Sequence, residues 1–353
     1  MKIALTGAHG FLGWHLRCRL KALRDDVDVV TVGREDFGRL PELVEGADAI
    51  VHVAGISRGT DDELSTGNVD LARAVIEAAA GSERRPRIVF ANSIRAGDGS
   101  SYGDGKAAAL QVLTDGATTS GLELVDVVLP NLFGEHGRPD HNSFVATFCH
   151  EVAAGRVPDV IPREVELLRV QEAAQTLIDG FDGPGRIERP RGEKHQVGEV
   201  LDLLRSFHDT YRHGEFPTFQ TPLEADLFNA YRASAFEIRP TIELEARTDP
   251  RGAGGETSYA TTAPGVTSDD VFHLRRIERF VVVDGRARIR LRKLFSDAVT
   301  DIDVSGDVLV AVDIPTMWAH QITNTGDSEL LTLVWKDSIS DPSDLDTYFE
   351  AVA

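Results

Sequence analysis

The chain has 353 residues, 42% of them hydrophobic, and a formal charge of −20 at pH 7, with a pI near 4.9. That length provides for two domains, and the composition is that of an ordinary globular protein. The acidic balance, unrelieved by any long basic run, argues against nucleic acid as a partner and requires that an anionic ligand be met by locally placed arginines. No apolar run reaches membrane-spanning length, and Met1-Lys2 leads straight into a strand without a signal peptide, so a cytoplasmic protein with no membrane partner is expected. Cys18 and Cys149 fall in apolar helical patterns and read as buried free thiols.

The first element is the apolar run Ile3-Ala4-Leu5, followed by Thr6-Gly7-Ala8-His9-Gly10-Phe11-Leu12-Gly13 and an amphipathic stretch through Leu16, Leu20 and Leu23. Three glycines spaced by three between a strand and a helix make a turn whose backbone can lie against a pyrophosphate. The free N–H groups of the helix start then hold the anion. Gly7, His9, Gly10, Phe11, Leu12 and Gly13 are the expected contacts. A second strand is expected over 28–33. Sites that prefer NAD usually end this strand on an acidic side chain, which bonds the ribose hydroxyls. Here Gly33 and Arg34 stand there. A guanidinium pairs with a 2′-phosphate, so NADP(H) is the expected cofactor, with Glu35 or Asp36 on the ribose as the alternative. The third strand, over 48–54, brings Ala54 to the same cofactor.

Further strands are expected over 87–92 and 123–129, with helices over 11–24, 67–80 and 103–118. This is the βαβ rhythm of a parallel sheet covered on both faces. Residues 140–182 read as mostly helical, as do 195–213, and 183–192, rich in Gly, Pro and Arg, reads as a loop. From about 240 the pattern changes to short β-rich runs separated by Gly and Asp turns, such as 280–283, 287–291 and 330–334. These point to a small antiparallel barrel or jelly roll. The expected fold is therefore α/β, a Rossmann-type doubly wound sheet over 1–238, followed by an all-β domain over 239–353.

The fourth strand ends at Asn92-Ser93, and active sites of open parallel sheets lie at the carboxyl ends of the strands. Nine residues later come Tyr102 and Lys106, four apart at a helix start and so on one face. An ammonium beside a phenol is expected to lower its pKa, so that the tyrosine can exchange a proton with a carbonyl or alcohol near neutral pH. Ser93 would hold the same oxygen.

The glycine turn, the strand-end serine and Tyr-x-x-x-Lys together resemble the extended short-chain dehydrogenase/reductase superfamily. The resemblance implies Tyr102 as the acid, Lys106 also on the nicotinamide ribose, and Ser93 orienting the carbonyl. Asn68, in Gly67-Asn68-Val69-Asp70, resembles the superfamily's helix asparagine, or is a helix N-cap. Pro130-Asn131-Leu132-Phe133-Gly134, the run from Arg138 to His150, and the short Ser93-to-Tyr102 spacing narrow the resemblance to the bifunctional capsular-polysaccharide enzymes of CapF type. In that family a reductase domain precedes a cupin domain. The cupin epimerises a UDP-linked 4-keto-6-deoxy N-acetylhexosamine at carbon 3, and the reductase then reduces carbon 4 with NADPH. The resemblance implies a UDP- or dTDP-linked sugar substrate, contacted by Asn131, Arg138 and Arg95, and a homodimer.

The cupin metal motif of the family, His-x-His-x₄-Glu and a later His, is altered here. His273, Glu278 and His320 fall on ligand positions for a Zn-like ion, but Val271 stands for the first histidine. The neighbouring His and Lys have become Leu274 and Arg276, and the later turn glycine has become Met317. Three readings remain open on sequence: an NADPH-dependent keto-sugar reductase whose cupin has an altered metal site, a fully bifunctional epimerase and reductase, and a non-catalytic NADP-binding scaffold.

Overall fold

The structure, a computed structural model, describes residues 1–244, 256–337 and 346–352. In chain order the elements begin β1 (Lys2–Thr6), α1 (Phe11–Leu23), β2 (Asp28–Val32), α2 (Leu40–Leu43), β3 (Ala49–His52), α3 (Asp61–Gly81), β4 (Arg87–Ser93), α4 (Ser101–Ser120), β5 (Leu124–Leu129) and β6 (Asn131–Phe133). There follow α5 (Phe144–Ala153), β7 (Glu164–Arg169), α6 (Val170–Asp179), β8 (Arg186–Glu188), β9 (Glu193–Gln196), α7 (Val197–Tyr211) and α8 (Pro222–Ile238). The remainder is β: β10 (Ile242–Glu243), β11 (Glu256–Thr262), β12 (Val271–Phe272), β13 (Glu278–Asp284), β14 (Arg286–Lys293), β15 (Val299–Ser305), β16 (Val310–Ile314), β17 (Trp318–Asn324), β18 (Leu330–Lys336) and β19 (Tyr348–Phe349).

The chain divides into two compact units, one of Met1–Phe133 with Glu164–His195, the other of Gly134–Arg163 with Gln196–Ala353. Helices α5, α7 and α8 thus group with the β-rich remainder; α8 ends at Ile238 and the next strand begins at Ile242.

In the first unit a six-stranded parallel sheet runs β2-β1-β3-β4-β5-β8. Successive residues of a strand face opposite sides, and both sides are covered, so the central strands β1, β3, β4 and β5 are mainly apolar. Ile3, Leu5, Val51, Val89 and Val127 pack with Leu12, Leu16 and Leu20 of α1 and Ala174 and Leu177 of α6. Ala4, Ile50, Ile88 and Phe90 pack with Val75 and Ile76 of α3 and Leu113 of α4. Helix α3 begins six residues earlier than the periodicity predicts, because Thr60 and Glu63 form a capping box ahead of Asp61.

Two loop and helix expectations are corrected. The stretch 140–182 is not mostly helical: β7 interrupts it, pairing in parallel with β6. Its alternating Glu-Val-Glu-Leu-Leu-Arg buries Val165 and Leu167. Within 183–192, Arg186–Glu188 is a strand that pairs with β5 as the sheet's sixth member. Three residues are too few to show a period.

In the second unit two five-stranded sheets, β10-β16-β13-β18-β11 and β15-β14-β17-β12-β19, are antiparallel and form a cupin-like double sheet. Phe280, Val282, Ile289, Leu291, Val312, Ile314 and Leu330 fill its core. Helix α7 is tied to it by a buried network. Arg279 grips Asp313 at 2.6 and 2.8 Å, and the Tyr211 hydroxyl donates to the same carboxylate. Among the described residues no helix is long and apolar enough to cross a membrane. Cys18 and Cys149 are buried thiols outside any disulfide, and burial pushes the Cys149 thiol far up.

Candidate active site and metal centre

The strand order reverses at β1, which opens a crevice at the carboxyl edge between the loops after β1 and β3. Along this edge the first unit gathers the expected residues in spatial order: Arg34 after β2, the glycine turn after β1, Ala54 after β3, Ser93 ending β4 and Asn131 after β5. The turn needs its glycines. Gly7 has φ +70°, and a Cβ on Gly13 would lie 2.2 Å from the Gly7 carbonyl oxygen. Gly10 caps α1 without a side-chain hydrogen bond, and no acidic residue stands in the first turn. By contrast α3, α4, α5 and α8 are capped by Thr60, Ser100, Ser143 and Thr221. The open α1 N-terminus is therefore a fit for a pyrophosphate.

Asp36 turns back on its own chain, its Oδ2 accepting the Gly33 N–H at 2.9 Å, while the side chain of Arg34 is exposed. Ala54 N–H donates to Thr6 Oγ1 at 3.2 Å, which fixes the loop after β3 against Gly7. Asn68 is neither an N-cap nor at the helix start. Its amide bonds Ile56 N and Ile56 O at 3.0 and 2.9 Å and so braces that same loop.

Ser93 acts on the Tyr102 phenol closely enough to lower it. Ser93 Oγ also accepts the Arg95 N–H at 3.2 Å. Arg95 lies 5.5 Å from the Tyr102 ring centre and pairs with Asp98 at 2.9 Å. Burial pushes the Tyr102 phenol up, against the lowering effect of Ser93 and Arg95. The expected lowering by Lys106 is not what dominates, because the Lys106 ammonium donates to the Ala91 carbonyl at 2.7 Å and lies 4.1 Å from the Phe90 ring centre. Burial brings Lys106 itself down to about 7, with Asp126 opposing. Sequence reasoning missed Asp126 and His52, two polar residues inside otherwise apolar strands. Asn131 bonds the Glu166 carbonyl at 3.1 Å. Arg138 is exposed, on a loop that belongs to the second unit.

In the second unit His273, Glu278 and His320 come together, all buried, with their ligand atoms within 4.8 Å of one another. Both histidine Nε2 atoms face the same carboxylate oxygen, Glu278 Oε2, at 3.3 and 3.0 Å. On the far side of each ring, Nδ1 meets a carbonyl oxygen, that of Asp346 at 2.6 Å and that of Trp318 at 3.4 Å. A carbonyl only accepts, so these contacts place a proton on each Nδ1, and a ring that also gives up its Nε2 proton turns that lone pair towards the carboxylate. Three donor atoms converging in this way fit a bound cation, with the outer carbonyls fixing the tautomers as they do around metal-ligating histidines. Lys336 Nζ stands 3.5 Å from the other oxygen, Oε1. Burial alone would raise the Glu278 carboxyl, but the two histidines outweigh it and hold it far below the usual range. Val271 is the register partner of His320 across β12 and β17, so a side chain without a donor atom occupies the neighbouring position. Leu274 and Arg276 are buried beside it.

Residues 3–174 match the model of the NAD dependent epimerase/dehydratase family, and 246–348 match the polysaccharide biosynthesis C-terminal domain. The chain is 30% identical, over 99% of its length and 98% of the relative's, to UDP-2-acetamido-2,6-beta-L-arabino-hexul-4-ose reductase of Pseudomonas aeruginosa. Among solved structures, the capsular polysaccharide assembling protein CapF from Staphylococcus aureus superposes with a TM-score of 0.63 at 30% identity, covering 99% of both chains. UDP-glucose 4-epimerase of Thermotoga maritima, at 14% identity and TM-score 0.56 over 68% of this chain and 100% of that one, shares the fold of the first part. With the glycine turn, the strand-end serine and the double sheet in place, the chain belongs to the family of CapF and the Pseudomonas reductase, in which an NAD-dependent epimerase/dehydratase domain is joined to a polysaccharide biosynthesis C-terminal domain.

Proposed function

We propose that this protein is an NADPH-dependent reductase of a UDP-linked 4-keto-6-deoxy sugar, with a second-unit site that holds a divalent metal through three protein ligands. Kinship supports the broader statement, an oxidoreductase acting on a nucleotide sugar. The observation that carries the finer one is the ordered edge of the parallel sheet, where Arg34, the α1 N-terminus, Ala54 and Ser93 with Tyr102 follow one another. In this reading Arg34 pairs with the 2′-phosphate, Phe11, Leu12 and Gly13 N–H groups hold the pyrophosphate, and Lys106 holds the ribose. The nicotinamide, when bound, supplies the hydride. Ser93 orients the carbonyl oxygen, and Tyr102 hands its proton to that oxygen as negative charge develops there. Lys106 and Ser93 then favour the phenolate left behind.

His273, Glu278 and His320 would hold a Zn-like ion, which supplies charge stabilisation beside a bound oxygen. Val271, Leu274 and Arg276 support the view that this centre is altered from the family's pattern, so that reduction is the chain's main activity. The test is to incubate the full chain with NADPH or NADH and the keto sugar nucleotide named for the Pseudomonas relative, following absorbance of the reduced nicotinamide. Oxidation of NADPH in preference to NADH, with one alcohol formed per cofactor consumed, is expected. No turnover with either cofactor would leave the scaffold reading in place.

A further inference from the structure

Asp126 has no role in the chemistry above, yet it is a carboxylate 5% exposed in the middle of a parallel sheet, and its Oδ1 has no hydrogen-bond partner. An under-satisfied buried anion of this kind calls for a functional explanation. Asp126 belongs to a row that crosses the sheet, since Thr6 is in register with His52, His52 with Phe90, and Phe90 with Asp126. Register partners share a face of a sheet, here the face under α3 and α4. Lys106 descends from α4 onto this row, over the Phe90 ring. Asn92, two residues on from Phe90, stands on the same face diagonally across from Asp126 and lowers its carboxyl. Asn92 Oδ1 in turn accepts the backbone N–H of Ser93 at 2.9 Å.

We propose that Asp126 is a positioning residue for the reductase site: it supplies the counter-charge for the Lys106 ammonium from the β5 side of the row and, through Asn92, fixes the backbone that presents Ser93. The proposal rests on the roles given above to Ser93, Tyr102 and Lys106. The other titratable groups of the row are consistent with it. His52 of β3 is driven by burial, and by Lys106, down to about 3, so it carries no charge at neutral pH. Its Nδ1 meets Thr6 Oγ1 at 2.8 Å. Arg189, following β8, acts on Asp126 and favours its ionised form. Helix α3 meets α4 beside Lys106 through Leu64 and Gly105, both uncharged. Asp126 is thus the group that opposes the loss of the Lys106 proton on burial.

The experiment follows the six lysines of the full chain by NMR after lysine labelling, with the Lys106 resonance identified by its absence in Lys106→Arg. No substrate is needed. In Asp126→Asn, which keeps the shape, the Lys106 titration midpoint is expected to fall by roughly half to one pH unit. In Arg189→Ala, an exposed change, Asp126 loses part of what keeps it ionised, and the same midpoint is expected to fall by less than in Asp126→Asn. An unmoved midpoint in both variants overturns the proposal. The alkaline limb of NADPH-dependent reduction of UDP-2-acetamido-2,6-beta-L-arabino-hexul-4-ose should move with the midpoint in Asp126→Asn. A rate loss equal at every pH would show a merely structural role and also overturn it. Failure of the wild type to reduce this probe would overturn the proposed function instead, leaving the titration result to decide the role of Asp126.

Discussion

Under α3 and α4, Lys106 and His52 are buried against apolar strands, whereas in the second unit His273 and His320 are buried against a carboxylate. In the first cluster burial works against charge. It brings the lysine to about 7 and keeps the histidine neutral down to about 3. In the second the neighbours outweigh burial and hold Glu278 ionised. The first arrangement leaves a cation that is nearly free to give up its proton, which suits a group beside a proton donor. The second leaves an anion faced by two imidazole nitrogens, a donor set in which a cation can replace the ring protons. One chain therefore carries a proton-handling cluster and a cation-holding cluster, and each can be broken separately.

The largest expected effect is in the first. Tyr102→Phe keeps the ring packing and removes the acid, so keto-sugar reduction should fall by about 10²–10⁴-fold while NADPH binding persists. Near wild-type turnover in this variant would remove Tyr102 from the chemistry.

Stability should follow pH through His52. Its folded pKa, about 3, lies below the ordinary 6.5, so the unfolded chain takes up a proton that the folded chain refuses. The contribution is fully present above pH 6.5 and is lost as the pH falls towards 3, to the extent of a few kcal/mol. Urea titrations of wild type and His52→Gln across that window should show a steeper acid loss in the wild type. Parallel curves would mean that His52 titrates normally.

Arg34→Ala comes next. Losing one charge-assisted contact to a phosphate should weaken NADPH by about 1.5–3 kcal/mol and leave NADH nearly unchanged. Equal weakening of the two cofactors would return the ribose to Asp36 or Glu35.

The parts of this comparison were unequally legible in the sequence. The glycine turn, Ser93, Tyr102 and Lys106 announce themselves because their chemistry needs fixed spacings next to strand ends. The metal cluster was legible as well, although 42 residues separate Glu278 from His320, because the residue types are those of a known donor set. Asp126 and His52 were not, since a register row across a sheet joins residues of four strands and leaves no local pattern. Strand β8 was missed for its length. Helix α8 was missed despite a readable start, Thr221-Pro222 with Glu224 three residues after the cap. The N-cap alternative for Asn68 fails because the capping box at Thr60 starts the helix earlier than its apolar period does, which leaves Asn68 inside α3.

The smallest effect on reduction is expected from the second cluster. The full chain should bind about one divalent metal per molecule, and His273→Ala or His320→Ala should abolish that binding by removing one of three ligands. Neither residue lies among the crevice groups of the parallel sheet, so NADPH-dependent reduction should stay within about twofold, provided the double sheet remains folded by circular dichroism. Solvent deuterium should enter a 4-keto sugar nucleotide slowly or not at all. Proton abstraction next to a ketone needs a base as well as a group that stabilises the enolate. A metal at Glu278 could serve the second need, but the positions beside it are held by Val271 and Leu274, which have no proton to exchange, and by Arg276, a poor base at any ordinary pH. Elemental analysis and proton NMR in deuterated water measure the two halves. Rapid exchange at carbon 3 or carbon 5 that disappears in His320→Ala would show that three ligands are enough for epimerisation, and that the two clusters act in sequence on one substrate.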